Sequence, residues 1–446
     1  MGVMPVNRLL LSMSIPMMIS MLVQALYNVV DSIFVAQLSE DALTAVSMAF
    51  PMQNLMISLA VGMGVGVNAL LSRSLGQKNY EMVNKTAGNG LFLNFCGYLL
   101  FLVLGLAAVK PYFTAQKGTG EILDYGVTYL TICCTLSFGC FMQIMLERLL
   151  QSTGKTVYTM IAQGLGAVTN IILDPILIFG LFGFPRLEVA GAAYATVAGQ
   201  IVGMLLALWF NLRKNHEIHI HPANFVPSWH VIRQIFMVGI PSVLMAATGS
   251  VMTFLMNKIL VVFSTTAVAV FGVYFKLQSF IFMPVFGLNN GMVPIISYNY
   301  GAQKKSRITK TIRYSIFYAA GIMLVGLLLF QLMPDVFLNL FDASPAMLKI
   351  GVPALRIISL CFVFASVSVV LTSVFQALGN GVFSMCISFA RQLVFLLPSA
   401  YVLSRFGNVD LVWFAFPIAE VAAVIICALV FRHMYRSVIE PLGDCE

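Results

Sequence analysis

The chain has 446 residues, of which 60% are hydrophobic and only 9% are charged, and its mean hydropathy is +0.93. About 25% of the residues of a soluble domain carry a charge, so this composition excludes a water-soluble globular protein. Apolar runs long enough to cross a bilayer recur along the whole length. They predict an all-α membrane protein with many spans, because a helix satisfies its own backbone hydrogen bonds in lipid.

Hydropathy predicts twelve transmembrane helices in two sets of six. Their ranges are 8–38, 42–72, 88–109, 125–150, 156–181, 188–212, 231–262, 267–298, 311–333, 350–378, 382–404 and 409–433. The one long polar connector, 213–230, divides the chain into an N-terminal lobe, 1–212, and a C-terminal lobe, 231–433. We predict that this linker and the tail 434–446 are cytoplasmic. Because the first span lacks a small-residue cleavage site before its polar residues, we interpret it as a membrane helix rather than a cleaved signal.

The positive charge, +8 in total, is unevenly placed between the two sides that these spans define. If both termini lie inside, few of the 25 Lys and Arg fall in the outer connectors. Those few are Lys110, Lys117, Arg186, Lys349 and Arg405. The positive-inside rule therefore predicts cytoplasmic N- and C-termini in a prokaryotic inner membrane. The positive charge then sets the orientation of the chain in the membrane, where its partners are lipids, and we expect no nucleic-acid partner.

A polar stripe runs down the first predicted helix through Gln24, Tyr27, Asn28 and Asp31. Residues spaced three, four and seven apart share one helical face. An aspartate in the middle of hydrocarbon costs roughly 2.5 kcal/mol or more unless it is paired, solvated or protonated. Asp31 is therefore either a protonated acid bonded to a neighbouring helix or a group that exchanges a proton or a sodium ion.

A second stripe contains Gln163, Asn170 and Asp174, followed by Pro175. The proline removes a backbone donor and frees local carbonyls, which a cation or water could use. Carboxylate and amide oxygens are hard ligands that suit sodium. We predict an H⁺ or Na⁺ site at Asp31, Asn170 and Asp174, with no cofactor and no other metal. The alternative is that Asp174 merely hydrogen-bonds a helix end.

The two halves of the chain repeat in a fixed register of 225 residues. Pro16 meets Pro241 and Gly62 meets Gly287 in this register. Since each repeat has an even number of helices, both copies enter the membrane from the same side. Parallel repeats related by an axis along the membrane normal are typical of alternating-access transporters.

The repeat fails at the two intramembrane acids. Asp31 corresponds to Met256, and Asp174 corresponds to Ser399. A purely structural role would more naturally be kept in both copies. This asymmetry favours an ion site in the N-terminal lobe alone.

Three stretches of the sequence resemble the multidrug and toxic compound extrusion (MATE) family. They are Gln24-Ala-Leu-Tyr27-Asn28-Val-Val-Asp31 for the first helix of the family, Asn170-Ile-Ile-Leu-Asp174-Pro175 for the fifth and Gly191-Ala-Ala-Tyr-Ala-Thr196 for the sixth. The six-plus-six layout also matches, so the similarity covers nearly the whole chain. The motifs most resemble the DinF-like (MepA-like) branch.

In that branch the aspartate matching Asp31 is a proton-linked switch. The resemblance implies partners at Tyr27, Asn170, Asp174 and Thr196. The NorM-like branch instead uses acids in helices seven and ten, but the predicted helices 231–262 and 350–378 contain none. That second site is therefore not carried over to this chain.

Further polar residues in the spans are candidates for a substrate cleft. They are Gln24, Asn28, Gln53, Gln163, Lys276 and Arg391. The two cations could repel cationic compounds, hold an anionic group or belong to a buried ion pair, for which Glu420 is an available partner.

We predict a secondary multidrug antiporter that exports amphipathic, cationic compounds in exchange for H⁺ or Na⁺. The alternatives are a lipid-linked oligosaccharide flippase of a related fold and, in another class, an ion channel. The sequence contains no DDxxD, HExxH or GxSxG pattern, so we do not expect an enzyme. One chain supplies both lobes, so we expect a monomer.

Overall fold

The structure is a computed structural model that describes residues 1–116 and 118–443. Lys117, one of the predicted outer cations, and the last residues of the predicted tail, 444–446, lie outside the described residues. Every regular element in the described ranges is helical.

The helices are numbered in chain order. They are α1 Val6–Ala36, α2 Glu40–Gly76, α3 Tyr80–Ala107, α4 Val109–Ala115, α5 Gly120–Thr135, α6 Phe138–Ser152, α7 Thr156–Phe179, α8 Val189–Lys214, α9 Trp229–Leu260, α10 Thr265–Gly301, α11 Lys305–Leu332, α12 Pro334–Asn339, α13 Pro345–Ser359, α14 Phe362–Ala377, α15 Gly381–Phe389, α16 Leu397–Ser404, α17 Val409–Trp413 and α18 Ala415–Met434. A 3₁₀ turn covers Pro222–Phe225, and wider π-helical turns cover Ala390–Leu396 and Tyr435–Ile439.

Ten helical stretches of the described chain are long and apolar enough to cross a membrane. Two further spans are bent pairs, α5 with α6 at 46° and α13 with α14 at 52°. Counting each pair as one span gives up to twelve, so the predicted all-α fold class is confirmed. The last span runs to Ile439, beyond the predicted end at residue 433, because the π-helical turn extends α18.

The internal repeat is visible in the backbone. Helix α10 begins and ends 225 residues after α2, and α11 does so after α3. The N-caps repeat as well, since Ser39 accepts a hydrogen bond from the Ala42 amide and Ser264 accepts one from Ala267. The 225-residue register found in the sequence therefore also relates the helix boundaries and the N-caps of the two halves.

Contacts divide the chain into two compact units that differ from the predicted lobes. One unit is Ile19–Val243, here called the first unit, and the second unit joins Met1–Met18 to the chain from Leu244 onward. The divisions fall inside α1 and α9, not at the polar connector 213–230. Within the second unit, Ser14 at the start of α1 donates to the Leu288 carbonyl at 3.3 Å. Helices α1 and α9 thus each have their two ends in different units.

Gly66 allows the start of α9 to approach α2 closely in the first unit. A Cβ at Gly66 would lie 2.3 Å from the Ile235 carbonyl oxygen, which is backbone and cannot rotate away. We expect Gly66→Ala to lower the melting temperature of the purified protein, since overpacking costs about 1–3 kcal/mol. A Cβ at Gly321, in α11, would meet nothing within 4 Å, so Gly321→Ala should leave stability unchanged or raise it. Equal losses in the two variants would contradict this assignment.

Candidate functional site

The candidate site lies in the first unit, where α7 and α8 pack at backbone distance. A Cβ at Gly166 would lie 2.7 Å from the Gly199 carbonyl oxygen, and the reverse distance is 2.6 Å. This approach brings polar residues of the two helices together, and Asn170 Nδ2 donates to Thr196 Oγ1 at 3.3 Å. The sequence prediction grouped these two residues through the family resemblance.

Asp31 of α1 and Asp174 of α7 form a carboxyl pair. Their side chains face each other at hydrogen-bonding range, and Asp174 is fully buried. Asp31 Oδ1 and both Asp174 oxygens nevertheless have no donor among the described residues. Ionised carboxylates only accept hydrogen bonds, so this arrangement is chemically suited to a shared proton or a bound cation.

Asn170 adds another oxygen beside this pair. It lies one helical turn before Asp174, and its Oδ1 is buried with no donor in the part of the chain that the structure describes. Its amide nitrogen is held by Thr196, which directs the oxygen away from that hydroxyl. Carboxylate and amide oxygens without donors can coordinate a hard monovalent cation. If one carboxyl group is protonated, its O–H can instead donate a hydrogen bond to another of these oxygens.

A cavity adjoins the pair in the same unit. Its volume is about 80 Å³. Its walls come from α1, α2, α6, α7 and α8, and they carry many amides. The polar lining residues are Gln24, Tyr27, Gln143, Glu147, Gln163, Asn170, Thr196 and Gln200. Asn170 lines the cavity and lies beside the carboxyl pair, so the two features are contiguous.

Tyr27 interacts electrostatically with both acids of the pair, Asp31 and Asp174. Two predicted glutamines are joined on the same side of the cavity. Ser20 Oγ donates to Gln163 Oε1 at 2.6 Å, and Gln163 Nε2 donates to Gln24 Oε1 at 3.2 Å. These two hydrogen bonds fix the Gln163 amide and leave the Gln24 side-chain nitrogen free to bind a partner in the cavity.

Glu147 of α6 is a functional candidate that the sequence prediction missed. It is buried, lines the cavity and accepts a hydrogen bond from Gln143 Nε2 at 2.8 Å. The adjacent Arg148 is also buried and donates to Gln151 Oε1 at 2.9 Å. The structure therefore adds a third acid to the two that were inferred from the sequence of the first half. The i, i+4 spacing of Gln143 and Glu147 was the available signal, since it matches that of the other polar stripes.

The other predicted cleft residues lie elsewhere. Asn28 is exposed and does not line the cavity. Gln53 donates to Tyr129 Oη at 3.3 Å and also contacts Cys133.

The two predicted cations belong to the second unit. Lys276 is exposed, with its Nζ 5.9 Å from the centre of the Phe341 ring. Arg391 Nη1 lies 3.6 Å from Glu420 Oε2. The structure thus gathers the α1, α7 and α8 candidates and leaves Asn28, Gln53, Lys276 and Arg391 outside that group.

The sequence profile of the MatE family matches the chain twice, over residues 16–176 and 241–402. The chain belongs to the MATE family. The two matches begin 225 residues apart, which is the register of the internal repeat. The resemblance found in the sequence motifs is therefore confirmed.

Known transport proteins resemble the chain over nearly its whole length. The multidrug export protein MepA of Staphylococcus haemolyticus is 27% identical over 436 residues, which are 97% of this chain and 95% of that protein. An FAD transporter of Shewanella oneidensis is 25% identical, covering 98% of this chain and 96% of that protein. A multidrug resistance MATE transporter solved in an outward-facing conformation has a TM-score of 0.91 at 26% identity, covering 98% of this chain and 97% of that one.

Proposed function

We propose that this MATE protein is a secondary multidrug antiporter that exports amphipathic cations while H⁺ or Na⁺ moves inward. The observation that carries the proposal is the Asp31–Asp174 pair, in which Asp31 Oδ1 and both Asp174 oxygens are buried without a donor among the described residues, next to an amide-lined cavity. An ion site without a ligand pocket would suit a channel, and a pocket without an ion site would suit a passive carrier. Their contiguity through Asn170 supports exchange.

Coupling requires that the ion and the compound favour different arrangements of the transporter. When the carboxyl pair binds a proton or sodium ion, its repulsion is relieved and its oxygens are satisfied. When the pair is empty, it carries negative charge that attracts a cationic compound towards the cavity. Whether the carboxyl pair holds an ion thereby biases whether the first unit binds the cationic compound.

The names of the relatives support an exporter of small organic molecules. MepA is named a multidrug export protein, and the Shewanella protein is named an FAD transporter. We extend the multidrug class to this chain because its cavity presents uncharged amides and one carboxylate, Glu147, rather than a cluster of cations. We place the protein in a prokaryotic inner membrane with cytoplasmic termini, from the Lys and Arg distribution, and we propose a monomer because one chain supplies both lobes.

Efflux of ethidium from energised cells tests this function. We expect the protein to lower cell fluorescence, a proton uncoupler to stop that efflux if H⁺ is the coupling ion, and removal of external sodium to stop it if Na⁺ is. Efflux that survives both treatments would contradict secondary transport. An ethidium-independent ohmic current would favour the channel, and export of a lipid-linked sugar without ethidium would favour the flippase.

A further inference from the structure

The second unit contains a charged cluster that the proposed ion site does not use. Arg391 and Gln392 lie in the π-helical turn Ala390–Leu396, and Glu420 lies on α18. Glu420 Oε2 is 3.6 Å from Arg391 Nη1, and Glu420 Oε1 accepts a hydrogen bond from Ser368 Oγ. Wide helical turns of this kind occur frequently at functional sites.

Arg391 lies at the middle of its span. It is ten residues from Gly381, where the helix begins, which is about 15 Å along the axis and half of a hydrocarbon core of about 30 Å. The Arg391 side chain is 27% exposed. An arginine facing lipid at this depth costs roughly 2.5–3.5 kcal/mol or more, so we infer that its exposed part faces a water-filled space.

The fold does not require this cluster, because the first copy of the repeat lacks it. In the register of 225 residues, Arg391 corresponds to Gly166 and Ser368 corresponds to Gln143. Both first-unit residues line the cavity described above. The second unit therefore places Arg391 and Ser368 at positions that line the cavity in the first unit.

The cluster has unused hydrogen-bonding capacity. The contact between Arg391 and Glu420, at 3.6 Å, is longer than the usual 2.7–3.2 Å of an N–H···O bond. Arg391 has no other hydrogen bond or ion pair among residues 1–116 and 118–443. Gln392 is 8% exposed, and its Oε1 is buried without a donor there.

Gly249 of α9 lies next to the Gln392 side chain. A Cβ at Gly249 would lie 3.8 Å from Gln392 Oε1, and Gly249 occupies the position of Gln24 in the first unit. The second unit therefore lacks the amide that the first unit has at this position.

We infer that Arg391 binds a carboxylate of the transported compound. A guanidinium suits planar carboxylates because its donors form a rigid fork. A doubly charged phosphate is disfavoured because Glu420 adjoins the site. This inference rests on the proposed function and assigns recognition of a substrate carboxylate to one residue of the second unit.

Rhodamine B, which has a free carboxylate, and its ethyl ester, which does not, form a matched pair of substrates. Transport of both dyes is measured in proteoliposomes containing the full chain. We expect Arg391→Gln to raise the KM of rhodamine B about tenfold or more, and to change that of the ester by less than about twofold. Arg391→Lys should recover only part of the preference, because it restores the charge without the fork.

Two further variants keep the test decisive. Arg391→Gln combined with Glu420→Gln removes both charges, so it tests the preference without leaving Glu420 unpaired. Lys258→Gln removes a cation that is exposed on α9, 4.7 Å from the Phe254 ring centre, and should leave both KM values unchanged.

Equal changes for the two dyes, or no change for either, would overturn the inference. Such a result in a protein that still pumps both dyes would leave the antiporter proposal standing. Failure of the unmodified protein to pump either dye would count against the antiporter instead.

Discussion

Asp31→Asn is expected to reduce ion-driven ethidium efflux by about tenfold or more, within the ~5–150-fold range of typical coupling free energies. The substitution keeps the size of the side chain and replaces a titratable carboxyl with a permanently neutral amide. The Asn amide can donate a hydrogen bond to Asp174, whose oxygens have no donor among the described residues. The variant thus resembles the loaded state of the pair and loses the alternation that couples the ion to the drug.

Asp41→Asn is the matched control for this substitution. Asp41 is exposed in the first turn of α2, so its replacement should leave efflux unchanged at equal expression. Purified Asp31→Asn protein should still bind ethidium because the cavity remains, but more weakly because the pair has lost negative charge. If Asp31→Asn pumps as fast as the unmodified protein, the coupling site lies elsewhere.

Glu147→Gln is expected to weaken the binding of cationic compounds about tenfold, or roughly 1.4 kcal/mol. Glu147 is the one carboxylate among the residues that line the cavity, and removing its charge removes attraction for a cation in a site of low dielectric. The substituted amide can still accept the bond from Gln143, so the packing is preserved. Ethidium titration of purified protein, followed by fluorescence, measures the change.

The control for Glu147 is the exposed carboxylate of Glu81, which pairs with Lys85 at 2.6 Å. Glu81→Gln should bind ethidium normally, and an uncharged dye should bind Glu147→Gln as well as it binds the unmodified protein. Loss of the uncharged dye to the same extent would show that Glu147 supports the packing of the cavity. Together with Asp31→Asn, this pair of variants separates ligand binding from ion coupling.

The sequence predicted the helices and the carboxyl pair because both leave periodic signals. Membrane spans are long apolar runs, and the acids at Asp31 and Asp174 stand out in them at helical spacing. The repeat register also survived into the structure, down to the caps at Ser39 and Ser264. These features depend on local sequence and required no knowledge of packing.

Two features of the structure could not be predicted from such periodic signals in the sequence. Glu147 lies near the predicted end of its span and beside Arg148, so the pair resembles a cytoplasmic helix end, whereas both side chains are buried. The division of α1 after Met18 and of α9 after Val243 depends on which helices each segment packs against. The segments on both sides of these divisions are mostly apolar, so composition gives no sign of them.

Ethidium-driven ion flux in proteoliposomes tests the central claim most directly. Vesicles loaded with ethidium and a pH-sensitive or sodium-sensitive dye report drug efflux and ion entry at the same time. The unmodified protein should move H⁺ or Na⁺ inward in a fixed ratio to the ethidium that leaves, and Asp31→Asn should show no coupled flux. Ethidium movement without ion flux, or coupled flux that persists in Asp31→Asn, would contradict the assignment of Asp31 as the coupling residue.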